Sequence, residues 1–187
     1  MATASRIGGD MKTKQIEDVI IRNLADRAFP VYLPNYSGLG FNEADVLGIS
    51  GAGMMNEYEI KTSRSDFLAD FKHKQYKHLL LSSREAVKTY AKWKKGKRTE
   101  DTYDLIILPN RFYYVCPVDL IDAKEIPEYA GLVYVDNAGS CNEIKPAPIL
   151  HRTKANEIIY KNVATILSQR NAWGRAYRSC KSITPQP

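Results

Sequence analysis

Residues 58–70 read Tyr58-Glu59-Ile60-Lys61-Thr62-Ser63-Arg64-Ser65-Asp66-Phe67-Leu68-Ala69-Asp70, and the chain changes its character within them. Met54–Thr62 reads as a strand, in which Glu59 and Lys61 project from one face and Ile60 from the other. Ser63, with Asp66 three residues on, has the spacing of a helix-capping box. The pattern predicts a helix from about Ser65 to Leu81, with Phe67, Leu68, Phe71, Gln75 and Leu79 on or near its inner stripe.

Just upstream, Asp45–Ser50 is a second strand, joined to the first by Gly51-Ala52-Gly53. A three-residue loop pairs Ser50 with Met54 and so sets Asp45 opposite Glu59, with Cβ atoms ~4.5–5.5 Å apart. Two carboxylates at ~5 Å repel by roughly 3 kcal/mol at an effective dielectric near 20. Lys61 relieves part of that, and a divalent cation relieves more, oxygen ligands of this kind suiting magnesium or manganese. The alternative is a cross-strand ladder of ion pairs on a solvated face.

Further out, Lys14–Phe29 has helical spacing in Ile16, Val19, Ile20, Leu24 and Ala28, with Thr13 as N-cap and Pro30 ending it. Glu17 falls inside this helix's apolar arc, where a carboxylate needs a partner. It either joins the two strand acids or pairs with a base at the core's edge. Val31–Leu33 reads as a short strand closed by Pro34, Asp104–Leu108, Phe112–Cys116 and Leu132–Val135 as further strands, 136–149 as loop with at most a short strand, and Ala155 to about Arg170 as a last helix. Phe112, Tyr113 and Tyr114 read as core, and His73, His78 and His151 as surface or edge residues. The expected architecture is α/β: a mixed β-sheet flanked by helices in αβββαβ order, one domain over 11–178 between a flexible leader, 1–10, and a flexible tail, 179–187.

Composition excludes several classes. The 187 residues suit one core. The longest apolar run, Phe112–Cys116, is far shorter than the ~20 residues of a membrane span, so no membrane partner is expected. No secretory leader is recognisable, and Cys116, Cys141 and Cys180 stand isolated, which fits a reducing cytoplasm, bacterial or phage-infected, and neither a disulfide framework nor a zinc site. The net charge of +6 is unevenly spread: −3 over residues 1–60, +9 over 61–98 and 0 over 99–187. Such concentration suits a nucleic-acid partner, or equally a solvated lysine-rich loop. Within that block Lys72, Lys74 and Lys77 recur near helical spacing, and Lys94, Lys95, Lys97 and Arg98 flank Trp93 and Gly96. Trp93, and Trp173 with Arg175, Tyr177 and Arg178, are candidates for stacking on bases.

Ala44-Asp45, then Glu59-Ile60-Lys61 after thirteen intervening residues, preceded by a helical glutamate, resembles the PD-(D/E)XK nuclease superfamily, whose restriction-endonuclease-like core has the same element order. Residues 58–70, with Tyr113-Tyr114-Val115-Cys116-Pro117 and Ala130-Gly131-Leu132-Val133, are similar to MmcB-type DNA-repair proteins and related phage proteins, over roughly residues 13–150. Ala44 replaces the proline of the superfamily's name, and the basic segment at about 82–102 looks like an insertion.

The resemblance implies phosphodiester hydrolysis of nucleic acid, DNA foremost, assisted by Mg2+ or Mn2+. Asp45, Glu59 and the Ile60 carbonyl would ligate the ion, Glu17 would hold it through water or hold a second ion, and Lys61 would orient or deprotonate the attacking water. Ser63, Arg64 and Ser65 sit where a helix N-terminus favours phosphate, Arg64 as a clamp or all three simply as a cap. The alternative function is a catalytically silent nucleic-acid- or partner-binding module on the same fold, such as a phage-encoded factor; a dimer is compatible with either.

Overall fold

The computed structural model describes residues 11–37, 43–83 and 108–181, with the side chains of 174–181 left aside. Helix α1 (Thr13–Asp26) precedes strands β1 (Val31–Tyr36), β2 (Ala44–Ile49) and β3 (Met55–Ile60). Helices α2 (Arg64–His73) and α3 (Gln75–Ser82) follow, then β4 (Arg111–Pro117), β5 (Ala130–Val135), β6 (Cys141–Lys145) and helix α4 (Glu157–Lys181). The strands form one six-stranded sheet in the order β1-β2-β3-β4-β5-β6. β3, β4 and β5 run parallel, and the remaining neighbours pair antiparallel. The protein is therefore a mixed α/β fold with helices flanking a mixed sheet.

The β2–β3 register is Val46 to Tyr58, Leu47 to Glu57, Gly48 to Asn56 and Ile49 to Met55, the one that the three-residue loop dictates. Ser50 N–H donates to the Met54 carbonyl at 2.9 Å, and Gly53 takes φ +79°, a left-handed conformation that costs glycine little. Alternation then assigns the faces. Val46, Tyr58, Ile60, Tyr113 and Val115 meet Ile16, Val19, Ile20 and Leu24 of α1. On the other face Phe112, Tyr114, Cys116 and Leu132 meet Phe67 of α2 and Leu81 of α3. Phe112, Tyr113 and Tyr114 are core, as their pattern predicts.

Several boundaries differ from expectation. Thr13 is the first residue of α1 and not its cap, the Gln15 side chain accepting the Lys12 N–H at 2.8 Å. The helix stops at Asp26, before Pro30: Ala28 turns left-handed (φ 54°) and Phe29 N–H closes back on the Leu24 carbonyl at 3.0 Å. β1 runs through Pro34, which an edge strand tolerates because a proline there need not donate to a second neighbour. The single helix expected to Leu81 is two, divided at Lys74. β6 is a full strand, and α4 extends to Lys181. Residues 1–154 and 155–187 form two compact units, with every strand of the sheet in the first. Asp104–Ile107, most of the basic insertion, the leader and 182–187 lie outside the described residues. No described helix is long and apolar enough to cross a membrane.

Candidate active site

β3 lies between β2 and β4 and is buried along its whole length. Its charged face therefore points into protein, and Glu57, Glu59 and Lys61 are each at most 3% exposed. Charges so placed need partners, and α2 and α3 supply them. Lys77 Nζ bridges Glu57 Oε1 (2.5 Å) and Glu59 Oε2 (2.8 Å) and lies over the Phe112 ring, 4.9 Å from its centroid. Lys61 Nζ bridges Glu59 Oε1 (3.0 Å) and Asp70 Oδ1 (2.8 Å). Lys74 Nζ contacts the same two oxygens, Asp70 Oδ1 at 3.2 Å. Asp70 Oδ2 accepts from the Tyr114 hydroxyl (3.1 Å) and lies 3.0 Å from His78 Nε2, whose Nδ1 is 2.7 Å from the Tyr129 hydroxyl.

Asp45 stands at the rim, half-buried, its Oδ2 accepting the Ile60 N–H at 2.6 Å. Asp45, Glu59, Ile60, Lys61, Asp70 and Lys74 line one open cavity of about 320 Å³. Burial, and then the charge of Glu59, push the Asp45 carboxyl up to about 6. Burial acts in the same direction on Glu59 and Asp70 but is outweighed. Lys77 and Lys61 hold Glu59 low, and hydrogen bonds from His78 and Lys61 hold Asp70 well below the carboxylate range. Burial alone would lower Lys61, yet Glu59 and Asp70 raise it, so Lys61 is a firm ammonium.

The sequence-predicted residues divide. Asp45, Glu59, Ile60 and Lys61 share the cavity. Glu17 is buried, but it pairs with Lys14 on α1 and does not line the cavity. Among the described residues no group of three or more His, Cys, Asp or Glu is arranged to hold a metal ion. The Asp45 and Glu59 carboxylates of the cavity are hard oxygen donors, the chemical kind that magnesium or manganese takes.

The expected phosphate-binding set is largely reassigned. Ser63 caps α2, its Oγ accepting the Asp66 N–H at 3.1 Å and lying 3.0 Å from Ser65 Oγ. Arg64 forms a bidentate pair with Glu125 at 2.8 and 2.6 Å. Lys74 and Lys77 are occupied by Glu59 and its neighbours, so neither tracks a phosphate backbone in this state. Lys72 is exposed, while Lys94, Lys95, Lys97, Arg98 and Trp93 lie outside the described residues. Trp173 is exposed; the side chains of Arg175, Tyr177 and Arg178 are not described. Of the histidines only His73 is exposed: His78 is buried against Asp70, and half-buried His151 has Nε2 2.9 Å from the Leu108 carbonyl.

Glu57 and Asp70 are the residues that sequence reasoning missed. Asp70 falls three residues after Phe67 and one before Phe71, within the inner stripe of α2, the same signal that singled out Glu17. Glu57 shares a strand face with Glu59.

No family model matches the chain, and no curated protein matches it. Among solved structures it is similar to the SPO1766 protein of unknown function from Silicibacter pomeroyi, at 20% identity and a TM-score of 0.58, covering 96% of this chain and 100% of that one. At that identity the likeness is one of fold, a mixed α/β sheet flanked by helices.

Proposed function

We propose that this protein is a divalent-metal-dependent nuclease on a restriction-endonuclease-like core, hydrolysing phosphodiester bonds of nucleic acid, DNA foremost. The observation that carries the reading is the meeting of Asp45, Glu59 and Lys61 at one open cavity, with Asp45 fixed by the Ile60 N–H. Asp45, Glu59 and the Ile60 carbonyl would hold Mg2+ or Mn2+, which when bound supplies Lewis-acid polarisation of the phosphoryl group. Lys61, kept charged by its two buried acids, donates to a phosphoryl oxygen or to the attacking water and stabilises negative charge as it develops. Asp70 and Tyr114 fix where that ammonium sits. Arg64, once released from Glu125, would offer a planar guanidinium to a neighbouring phosphate.

The test is a cleavage assay over single- and double-stranded DNA and RNA, in Mg2+ or Mn2+ and in EDTA. The clean variant is Asp45→Asn, which keeps an acceptor for Ile60 N–H and removes the charge: cleavage should fall about a hundredfold or more while the fold persists. Lys61→Ala should also abolish cleavage, but it strands two buried carboxylates and must be read beside an unfolding curve. Absence of metal-dependent cutting of every substrate would sink the reading. One observation favours a silent binding module instead: both Glu59 oxygens already face ammoniums. Nucleic-acid binding that ignores EDTA and survives Asp45→Asn, with no cleavage, would select it.

A further inference from the structure

The three ammoniums around Glu59 are not equivalent. The side chains of Lys61 and Lys77 are 4% and 5% exposed, whereas that of Lys74 is 28% exposed and opens onto the cavity. Lys74 also occupies the junction of α2 and α3, at φ −112° and ψ 35°, outside either helix. Its Nζ touches Glu59 Oε1 and Asp70 Oδ1, and its charge reaches Asp45. It is therefore a cation placed among the acids that a metal ion would need.

Charge counting shows what exchange would do. Asp45, Glu57, Glu59, Asp66 and Asp70 are five carboxylates facing three ammoniums, Lys61, Lys74 and Lys77, so, His78 aside, two negative charges are left over. A divalent ion in place of the Lys74 ammonium removes one of the two surplus negative charges, whereas exchange at Lys61 or Lys77 would strand a deeply buried side chain. Lys74 alone can leave for water without crossing protein.

We propose that Lys74 is a built-in counter-ion of the metal-free site, displaced from Glu59 and Asp70 when a divalent cation binds. The inference rests on the metal-dependent reading above, and it makes Lys74 a competitor for metal and not a ligand of phosphate in the resting protein.

The experiment titrates Mn2+ into the full, metal-free protein by electron paramagnetic resonance, without nucleic acid. Lys74→Met should bind Mn2+ about tenfold or more tightly than wild type, and Lys74→Arg, which keeps the charge, should stay near wild type. In parallel, side-chain NMR of the wild-type lysines follows Mg2+ addition and needs no variant to fold. The Lys74 signal should move to that of a solvated lysine while those of Lys61 and Lys77 stay shifted. If wild type and Lys74→Met bind Mn2+ equally, or if Mg2+ binds and the Lys74 signal does not move, the exchange is wrong and the nuclease reading stands. If neither protein binds Mn2+ at millimolar concentration, the metal-dependent reading fails and takes the exchange with it.

Discussion

Asp45 and Asp70 are carboxylates of one cavity with opposite thermodynamics. Asp45 keeps its proton to about 6 in the folded chain, whereas its ordinary value is 3.8. The folded state thus binds more protons between those values, so stability falls as pH rises through that window and the penalty is complete at about pH 7. Asp45→Asn removes it. Urea unfolding should show the variant more stable by about 1–2 kcal/mol near pH 7, after discounting for its half-exposed position, and equal to wild type below about pH 4. Asp70 is the reverse case, with its pKa lowered. Its contribution is present above the ordinary carboxylate value and is lost only as pH falls toward its much lower folded value. Asp70→Asn leaves Lys61 and Lys74 short of an anion and should cost about 3–5 kcal/mol near pH 7, narrowing below about pH 4. A variant that stabilises while silencing the protein marks a site strained for function. One that merely destabilises marks its scaffold.

The elements that carry these residues were legible to different degrees. Strand spacing and a Gly-Ala-Gly loop are local, and they fix the register that brings Asp45 to Glu59. The break at Lys74 is not local. No proline or glycine marks it, and the run from Phe67 to Leu81 is a passable helix; what divides it is the pairing of Lys74 and Lys77 with acids on a strand far away in sequence. The burial of the charged face of β3 is not local either. Whether Glu59 and Lys61 face solvent or protein is decided by the helices that cover them. Close packing of the sheet is equally invisible in composition. A Cβ on Gly131 of β5 would stand 2.5 Å from Tyr113 Cδ1 and 2.7 Å from the Ala147 nitrogen, and Tyr113 is stacked on Tyr58 at 5.3 Å. Gly131→Ala should therefore cost about 1–3 kcal/mol in urea unfolding, because the backbone atom cannot rotate away.

Across the whole molecule, the basic excess that suggests nucleic acid is partly consumed inside. Residues 61–98 hold 12 of the 27 basic side chains. Of these Lys61, Lys74 and Lys77 neutralise internal carboxylates, and Arg64 is engaged by Glu125. Such cations release no condensed counterions when a nucleic acid docks. On the proposed nuclease reading, the electrostatic load within this block would fall on exposed Lys72 and on the basic residues from Arg84 to Arg98. Replacing Lys94, Lys95, Lys97 and Arg98 together by glutamine should flatten the plot of log affinity for duplex DNA against log salt by about 3–4 in slope, and Lys72→Gln by about 1 or less. Melting temperature should stay put in Lys72→Gln, whose side chain is exposed. If the quadruple variant keeps the full slope, the nucleic acid lies on another surface. Lys94, Lys95, Lys97 and Arg98 are then no footprint of DNA.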